Sequence, residues 1–183
     1  IKKFLDKNKI SYEFLEREKL LKNTAKLISD GKIVGWYQGK MEWGPRALGN
    51  RSILADPRDG KMKDILNEKI KHREAFRPFA PSILEEYVSE YFDLDEPSPY
   101  MLLVAKVKKP DKIPAVTHID GTGRVQTVSK YFNEDFYNLI RYFYEISGVP
   151  ILLNTSFNEN EPIVFKPEEA LDCILRTEID AIF

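Results

Sequence analysis

The chain contains 183 residues, of which 43% are hydrophobic and 12% aromatic, a composition that supports one globular core and is not that of a disordered protein. Its 28 lysines and arginines nearly balance 29 aspartates and glutamates, and the net charge of −1 argues against a global attraction to nucleic acid or membranes. The charge is unevenly distributed, because residues 40–77 carry 10 lysines and arginines against 6 aspartates and glutamates. A local basic region of this kind favours a bounded anion, such as a nucleotide or phosphate, over a long polyanion.

The first half of the chain predicts alternating helices and strands. Apolar residues at helical spacing predict a helix over residues 12–30, which Gly31 ends. The elements that follow are a strand over 32–37, a strand over 52–55, a short helix over 60–71, a strand over 79–84 and a helical turn or two over 85–92.

The second half continues the alternation. It predicts a strand over 100–108, an ordered loop over 108–123, a strand over 124–128, a helix over 133–147, a buried strand over 149–154 and a last helix that Pro167 opens. The helix at 133–147 has the clearest limits, with Asn133 as its N-cap and Gly148 as its stop. Strands interleaved with helices predict an α/β (α+β) domain with a mixed sheet.

Several classes of protein are disfavoured by what the sequence lacks. The single cysteine, Cys173, forms no intrachain disulfide and is predicted to be a buried thiol, while the scattered histidines give no zinc-ligand spacing, so no metal site is predicted. No apolar run approaches the roughly 20 residues of a membrane span, and no signal peptide is present, so we expect a cytoplasmic protein. The start without Met and the end inside a strand-like segment predict a fragment of a longer protein.

The segment of residues 41–58 contains three arginines around one short apolar run. Glycines and a proline allow sharp turns that place Arg46 and Arg51 on either side, and guanidinium groups match phosphate or carboxylate oxygens. The structural alternative is that these arginines pair with Glu42 or Asp56.

The segment of residues 69–82 brings Lys71, Arg73 and Arg77 together before a rigid, Pro-flanked aromatic turn. Only Glu74 offsets these charges, so an anion-binding role is indicated. A basic helix face exposed to water is the alternative.

The segment of residues 118–128 places His118 and Asp120 in a Gly-rich turn, and Arg124 at the start of a strand. The histidine and aspartate could be acid–base groups, but local hydrogen bonding within the loop is the favoured interpretation.

The segment of residues 151–162 runs from a buried strand directly into Asn154, Ser156 and Asn158. Open α/β sheets bind ligands at the carboxyl ends of their strands, whereas a simple Asx-turn is the alternative. No Walker-type or G-x-G-x-x-G phosphate loop is present, so a nucleotide site here would be of another kind.

These segments together resemble the C-terminal domain of the O-carbamoyltransferases that act on nodulation factors and antibiotics. The resemblance covers nearly the whole chain from about Ile33 onward and is carried by four ungapped blocks, residues 35–59, 72–84, 118–128 and 150–164. It implies a YrdC-like fold, an open twisted mixed sheet with flanking helices, over residues 32–183. Residues 1–31 are then expected to be a helical linker from an N-terminal actin-like domain.

The resemblance also implies the chemistry. Carbamoyl phosphate gives carbamate, which attacks the α-phosphate of ATP with Mg²⁺ to form carbamoyl-adenylate and pyrophosphate. The N-terminal domain, which carries a metal, then transfers the carbamoyl group to a hydroxyl group.

The resemblance assigns residues to this chemistry. YrdC-like domains carry K-x-R and S-x-N signatures, which Lys71–Arg73 and Ser156–Asn158 match. The implied catalytic residues are Lys71, Arg73 and Arg77, which hold α-phosphate and carbamate oxygens. The implied substrate-binding residues are Arg46, Arg51, Arg124, Asn154, Ser156 and Asn158. His118 and Asp120 match the family block without an assigned role.

Two functions from other classes stay open at this point. A non-catalytic nucleotide- or phosphate-binding module would keep Ser156 and Asn158 but would not need so many cations. An RNA-binding domain would show strongly salt-dependent affinity, against which the net charge argues.

Overall fold

A computed structural model of the protein describes residues 2–183. The helices are α1 (Lys2–Lys7), α2 (Arg17–Ser29), α3 (Met62–Lys69), α4 (Val88–Tyr91), α5 (Glu134–Ser147) and α6 (Pro167–Arg176). The strands are β1 (Val34–Tyr37), β2 (Arg51–Ala55), β3 (Ala80–Leu84), β4 (Leu103–Lys106), β5 (Thr122–Val128), β6 (Ile151–Ser156) and β7 (Ala181–Ile182). No helix within residues 2–183 has the length and apolar character needed to cross a membrane.

The seven strands form one mixed sheet in the order β4-β5-β3-β6-β2-β1-β7. The pairs β3–β5 and β1–β7 are parallel, and the other neighbouring pairs are antiparallel. The predicted class, a mixed sheet with flanking helices, is confirmed.

Helices cover both faces of the sheet. Alternate residues of the central strands point to opposite sides, and because both sets are apolar, both faces are covered by helices. Leu54 and Leu152 pack with α2 and α5, while their neighbours Ile53 and Leu153 pack with α3, α4 and α6. Helix α2 is thus part of the domain core, although it lies before the predicted boundary at residue 31.

The helix α5 agrees closely with its sequence signals. The side chain of Asn133 accepts a hydrogen bond from the backbone N–H of Phe136, and Gly148 ends the helix in the left-handed conformation at φ +70°. The predicted core face of Phe136, Leu139, Ile140 and Phe143 is buried.

Several predicted boundaries are wrong. Helix α2 begins at Arg17 rather than at residue 12, and strand β4 is shorter than the predicted 100–108. Strand β6 extends to Ser156 instead of ending at residue 154, so it carries a candidate site residue at its end. The loop of residues 108–123 contains two short 3-10 turns.

The arginine-rich segment between β1 and β2 reaches α5 at Gly49. This residue has φ +107°, and a Cβ atom placed there would lie 2.2 Å from Cδ1 of Phe136. The carbonyl of Gly49 also accepts a hydrogen bond of 2.8 Å from the indole N–H of Trp36. The close contact fixes the loop against the helix.

We expect Gly49→Ala to destabilise the fold more than the matched variant Gly44→Ala. Gly44 has nearly the same φ, +109°, but no atom lies within 4 Å of the position that a Cβ would take there. Backbone strain of about 1–3 kcal/mol is common to both variants, and only Gly49→Ala adds an overpacking cost of about 1–3 kcal/mol. Urea unfolding would measure the difference, and equal free energies of unfolding would contradict the proposed contact.

Candidate functional site

A cavity of about 590 Å³ lies where the segment after α3 meets the segment after β6. Its lining comes from these two segments only: Lys71, His72, Arg73, Glu74, Arg77, Ser156, Asn158, Glu159 and Asn160. Five of the predicted site residues are therefore brought together by the fold, although the two segments are about 85 positions apart in the sequence.

The ammonium group of Lys71 joins the two segments. It donates hydrogen bonds to the backbone carbonyls of Ser156 and Asn158, both at 2.7 Å, and to Oδ1 of Asn158 at 2.8 Å. The Ser156 hydroxyl donates to the same Oδ1 at 2.7 Å. The K-x-R and S-x-N signatures thus form one interlocked unit, in which Lys71 holds the backbone that presents Ser156 and Asn158.

Lys71 is 2% exposed, and its environment alters its protonation. Burial, and after it the charge of Arg73, lowers the pKa of Lys71 from 10.5 to about 7, against a smaller opposing influence from Cys173 and Glu161. Only the ammonium form has three hydrogens for the three close acceptors. The full set of three hydrogen bonds to the loop is therefore made only by the protonated form, whereas burial of the amine favours the neutral form.

Arg73 and Arg77 are placed by a residue that the sequence reasoning missed, Asn67. The Oδ1 atom of this buried asparagine accepts from Nε of Arg73 at 2.7 Å, and its Nδ2 atom donates to the carbonyl of Arg77 at 3.1 Å. The guanidinium of Arg73 also lies 4.9 Å from the ring centroid of Phe79. Asn67 could have been found from the sequence, because it is a polar residue on the apolar face of the helix predicted over residues 60–71.

The cavity has an excess of positive charge. Lys71, Arg73 and Arg77 face only two carboxylates in the lining, and one of these, Glu159, is already bound by Arg176 from outside. Glu74 pairs with Arg77 at 2.8 Å, which leaves Arg73 without a carboxylate partner among residues 2–183. Burial and the charge of Arg77 both lower the pKa of Arg73.

Arg46 and Arg124 form a second pair of cations. Arg124 is half-buried, and its pKa is lowered by burial and then by the charge of Arg46. Among residues 2–183, neither guanidinium has a salt bridge, and the buried Nε atom of Arg124 has no hydrogen-bond partner. Two unneutralised guanidinium groups near each other are suited to an anion.

A buried cluster of Ser82, Gln126 and Asn154 supports the loop that carries Arg46. Oε1 of Gln126 accepts from the Ser82 hydroxyl at 2.6 Å and from Asn154 Nδ2 at 3.0 Å. The amide nitrogens of Gln126 and Asn154 donate to the carbonyls of Leu48 and Ala47, respectively. Asn154 therefore orients the loop through its hydrogen bond to Ala47. Ser82 and Gln126 were not among the predicted site residues.

The structure places Arg51 outside both cation groups. It is 4% exposed, donates to the carbonyls of Gln38, Gly39 and Asn50, and stacks 3.7 Å from the ring centroid of Tyr37. The alternative in which Arg46 or Arg51 pairs with Glu42 or Asp56 is not found among residues 2–183. Asp56 binds Arg58, and Glu42 instead accepts backbone N–H groups of Leu48, Asn50 and Arg51.

His118 and Asp120 lie in the turn before β5, beside Arg124. Among residues 2–183, no group of three or more His, Cys, Asp or Glu side chains is arranged to hold a metal ion.

Comparison with known proteins identifies relatives of the chain. The family model described as "Carbamoyltransferase C-terminus" matches residues 25–183. The nodulation protein NolNO of Sinorhizobium fredii is 50% identical over 164 residues, which cover 86% of this chain and 24% of that protein. A 3'-hydroxymethylcephem-O-carbamoyltransferase from Amycolatopsis lactamdurans is 44% identical over 133 residues, which cover 73% of this chain and 25% of that enzyme. The chain thus spans about a quarter of the length of these two curated relatives.

The fold is similar to that of solved structures as well. The crystal structure of full-length HypF in its phosphate- and nucleotide-bound form superposes with a TM-score of 0.63 at 21% identity, over 89% of this chain and 24% of that one. The similarity to HypF and to further solved structures of the same fold confirms the predicted YrdC-like fold.

We expect the stability of the protein to rise between about pH 7 and pH 10.5 because of Lys71. In this window the unfolded chain keeps the lysine proton, with a pKa of 10.5, whereas the folded chain releases it at about 7. The unfolded state then binds more protons, so the free energy of unfolding increases, by up to about 1.4 kcal/mol per pH unit.

Urea unfolding from pH 6.5 to 10, with Lys71→Met, would measure this contribution. The variant should lose the rise, and Lys69→Met, at an exposed site on α3, should keep it. Parallel pH profiles for the wild-type and Lys71→Met proteins would contradict the assignment.

We expect Asn67→Ala to weaken anion binding although Asn67 does not line the cavity. The loss frees Nε of Arg73 and the carbonyl of Arg77, so the two guanidinium groups are no longer preorganised. Titration calorimetry with inorganic pyrophosphate should show about tenfold weaker binding, equal to about 1.4 kcal/mol. Asn8→Ala removes an exposed amide elsewhere and is the control. Unchanged pyrophosphate affinity in Asn67→Ala would remove Asn67 from the site.

Proposed function

We propose that this chain, which belongs to the carbamoyltransferase C-terminal family, forms carbamoyl-adenylate from carbamoyl phosphate and ATP. Another domain of the longer protein then transfers the carbamoyl group to a hydroxyl group of an acceptor substrate. The observation that carries the proposal is the cavity in which Lys71, Arg73 and Arg77 outnumber the available carboxylates.

The proposed reaction concentrates negative charge in this cavity. An oxygen of carbamate attacks the α-phosphorus of ATP, the bond from that phosphorus to the bridging oxygen breaks, and pyrophosphate leaves with the electron pair. Catalysis of phosphoryl-type transfer depends on fixed positive charge where the transition state is negative. The guanidinium groups of Arg73 and Arg77 supply that charge, and the Ser156 hydroxyl and Asn158 amide bind phosphate or ribose oxygens.

Lys71 acts mainly by position in this scheme. Its three close acceptors belong to the backbone of Ser156 and Asn158 and to the Asn158 amide, so it fixes those groups and adds charge from below. Arg46 and Arg124 hold the second substrate, carbamoyl phosphate. Asn154 contributes through the loop that carries Arg46, and Arg51 contributes through the fold.

Two relatives support the proposed chemistry. The relative from Amycolatopsis lactamdurans is an O-carbamoyltransferase, and the HypF structure was solved with phosphate and nucleotide bound. Because the chain spans about a quarter of its curated relatives, we assign transfer to the acceptor to a partner domain, an actin-like N-terminal domain with its own metal. Among residues 2–183 there is no carboxylate cluster for Mg²⁺, so Mg²⁺ would be held by the phosphates of the nucleotide, where it would neutralise their charge. A cytoplasmic location fits these substrates.

Pyrophosphate release from ATP and Mg²⁺, with and without carbamoyl phosphate, tests the proposal. We expect release that depends on carbamoyl phosphate and falls in Arg73→Ala by a factor equivalent to about 2–4 kcal/mol, the effect of removing one preorganised charge-stabilising group. Arg141→Ala, on the exposed side of α5, should leave the rate unchanged.

The alternatives give different outcomes in the same experiment. ATP binding without release by either the isolated chain or the full-length protein would make the domain a nucleotide-binding regulatory module. Salt-dependent RNA affinity without nucleotide binding would make it an RNA-binding domain.

A further inference from the structure

His118, which the proposed function leaves without a role, is held in one orientation by the turn before β5. Its Nδ1 atom lies 3.1 Å from Oγ1 of Thr122, and its backbone N–H donates to the Thr122 carbonyl at 2.8 Å. Thr122 is in turn bound to Asp120, whose Oδ1 accepts from the Thr122 hydroxyl at 2.7 Å and from its backbone N–H at 3.0 Å. The three residues form a short chain of hydrogen bonds, Asp120–Thr122–His118.

The direction of these hydrogen bonds fixes the tautomer of the histidine. The hydrogen bonds from Thr122 lower the pKa of Asp120, which is therefore an ionised acceptor with no proton to donate. The Thr122 hydroxyl has one hydrogen and gives it to Asp120, so its oxygen accepts a hydrogen from Nδ1 of His118. A neutral His118 thus carries its proton on Nδ1, and Nε2 has a free lone pair.

His118 lies near the pair of cations formed by Arg46 and Arg124. Thr122 and Arg124 are two positions apart on β5, so their side chains lie on the same face of the sheet. Burial lowers the pKa of His118, with Arg124 acting in the same direction and Asp120 opposing. Arg124 is close to Arg46, and neither arginine has an acidic partner among residues 2–183. His118 is thus tied to the face of β5 that carries Arg124, and Gln126 on the same face binds the loop that carries Arg46. This arrangement places the imidazole in the vicinity of two guanidinium groups that have no carboxylate partner among residues 2–183.

We propose that Arg46, Arg124 and His118 form a second reaction centre, in which the two arginines hold the phosphoryl group of carbamoyl phosphate and Nε2 of His118 accepts the proton of an attacking water. Asp120 and Thr122 are positioning residues that hold the ring. The inference rests on the proposed function, because it requires carbamoyl phosphate as a substrate.

The step is balanced by water alone. The water oxygen forms a bond to phosphorus, its proton goes to Nε2, and the bond from phosphorus to the carbamoyl oxygen breaks. Carbamate leaves with that electron pair, and the proton on His118 returns to solvent or to the phosphate product. The carbamate is then the nucleophile for adenylation at the cavity formed by Arg73 and Arg77.

Release of inorganic phosphate from carbamoyl phosphate by His118→Asn tests the role of the ring. The asparagine amide keeps a donor for Thr122 in the place of Nδ1–H but has no base in the place of Nε2. We expect the rate to fall by about 10²–10⁴-fold, as for loss of a general base, with little change in the thermal midpoint. Lys112→Gln, an exposed residue of the same loop, is the control and should keep the wild-type rate.

Two further readouts separate a base from a structural histidine. Imidazole added to His118→Ala should restore part of the phosphate release, and the wild-type rate should fall as the pH drops through the pKa of His118, which lies below its ordinary value of 6.5. Nitrogen NMR of the wild-type ring should show protonation at Nδ1 rather than Nε2 in the neutral form.

The outcomes distinguish this inference from the proposed function. Wild-type release of phosphate and pyrophosphate with an unchanged rate in His118→Asn, or an Nε2–H tautomer, would overturn the inference and leave the proposed function standing. Absence of any reaction of carbamoyl phosphate with the full-length wild-type protein would overturn both. Phosphate release that is lost in His118→Asn, together with pyrophosphate release that survives when carbamate is supplied directly, is the expected result.

Discussion

The site depends on the burial of one ammonium group, that of Lys71, between two segments of the chain. Transfer of a charged amine out of water is costly unless acceptors replace the solvent, and here the backbone carbonyls of Ser156 and Asn158 provide them. The same hydrogen bonds set the path of the chain after β6, so Ser156 and Asn158 take their positions from Lys71. The result is a rigid polar wall for the cavity.

The remaining cations show how a sheet can hold like charges close together. Arg73 and Arg77 are tied by Asn67 at the end of α3, whereas Arg46 is carried on a loop tied to Gln126 and Asn154. Repulsion between neighbouring guanidinium groups opposes folding, and it is present both between Arg73 and Arg77 and between Arg46 and Arg124. Such local costs are typical of functional sites, where a ligand of opposite charge relieves them.

The arginine-rich segment combines two arginines with structural roles and one, Arg46, for which we propose a ligand-binding role. Arg51 binds three backbone carbonyls and stacks on Tyr37, and Arg58 pairs with Asp56, so both stabilise the turn into β2. Arg46 is the exposed arginine of the segment, and its charge lowers the pKa of Arg124. The separation of roles follows from burial, because the terminal nitrogens of the buried Arg51 donate to backbone carbonyls, whereas the guanidinium of Arg46 is exposed.

The class of the fold, the limits of α5 and the family can all be predicted from the amino-acid sequence alone. These depend on local signals, such as the N-cap Asn133 and the glycine after the helix, and on four contiguous blocks of residues. The sequence also identified the segments that line the cavity, since clusters of cations and short polar side chains are visible in one dimension.

Which of these residues lie together, and whether each supports the fold or is available to a ligand, depends on the tertiary structure. The link from Lys71 to Asn158, the support of Arg73 by Asn67, the burial of Arg51 and the tautomer of His118 all depend on contacts between residues or on hydrogen-bond direction. A side chain has the same donors and acceptors in any sequence context. Whether it binds a ligand or its own backbone is decided by which groups the fold places within hydrogen-bonding distance.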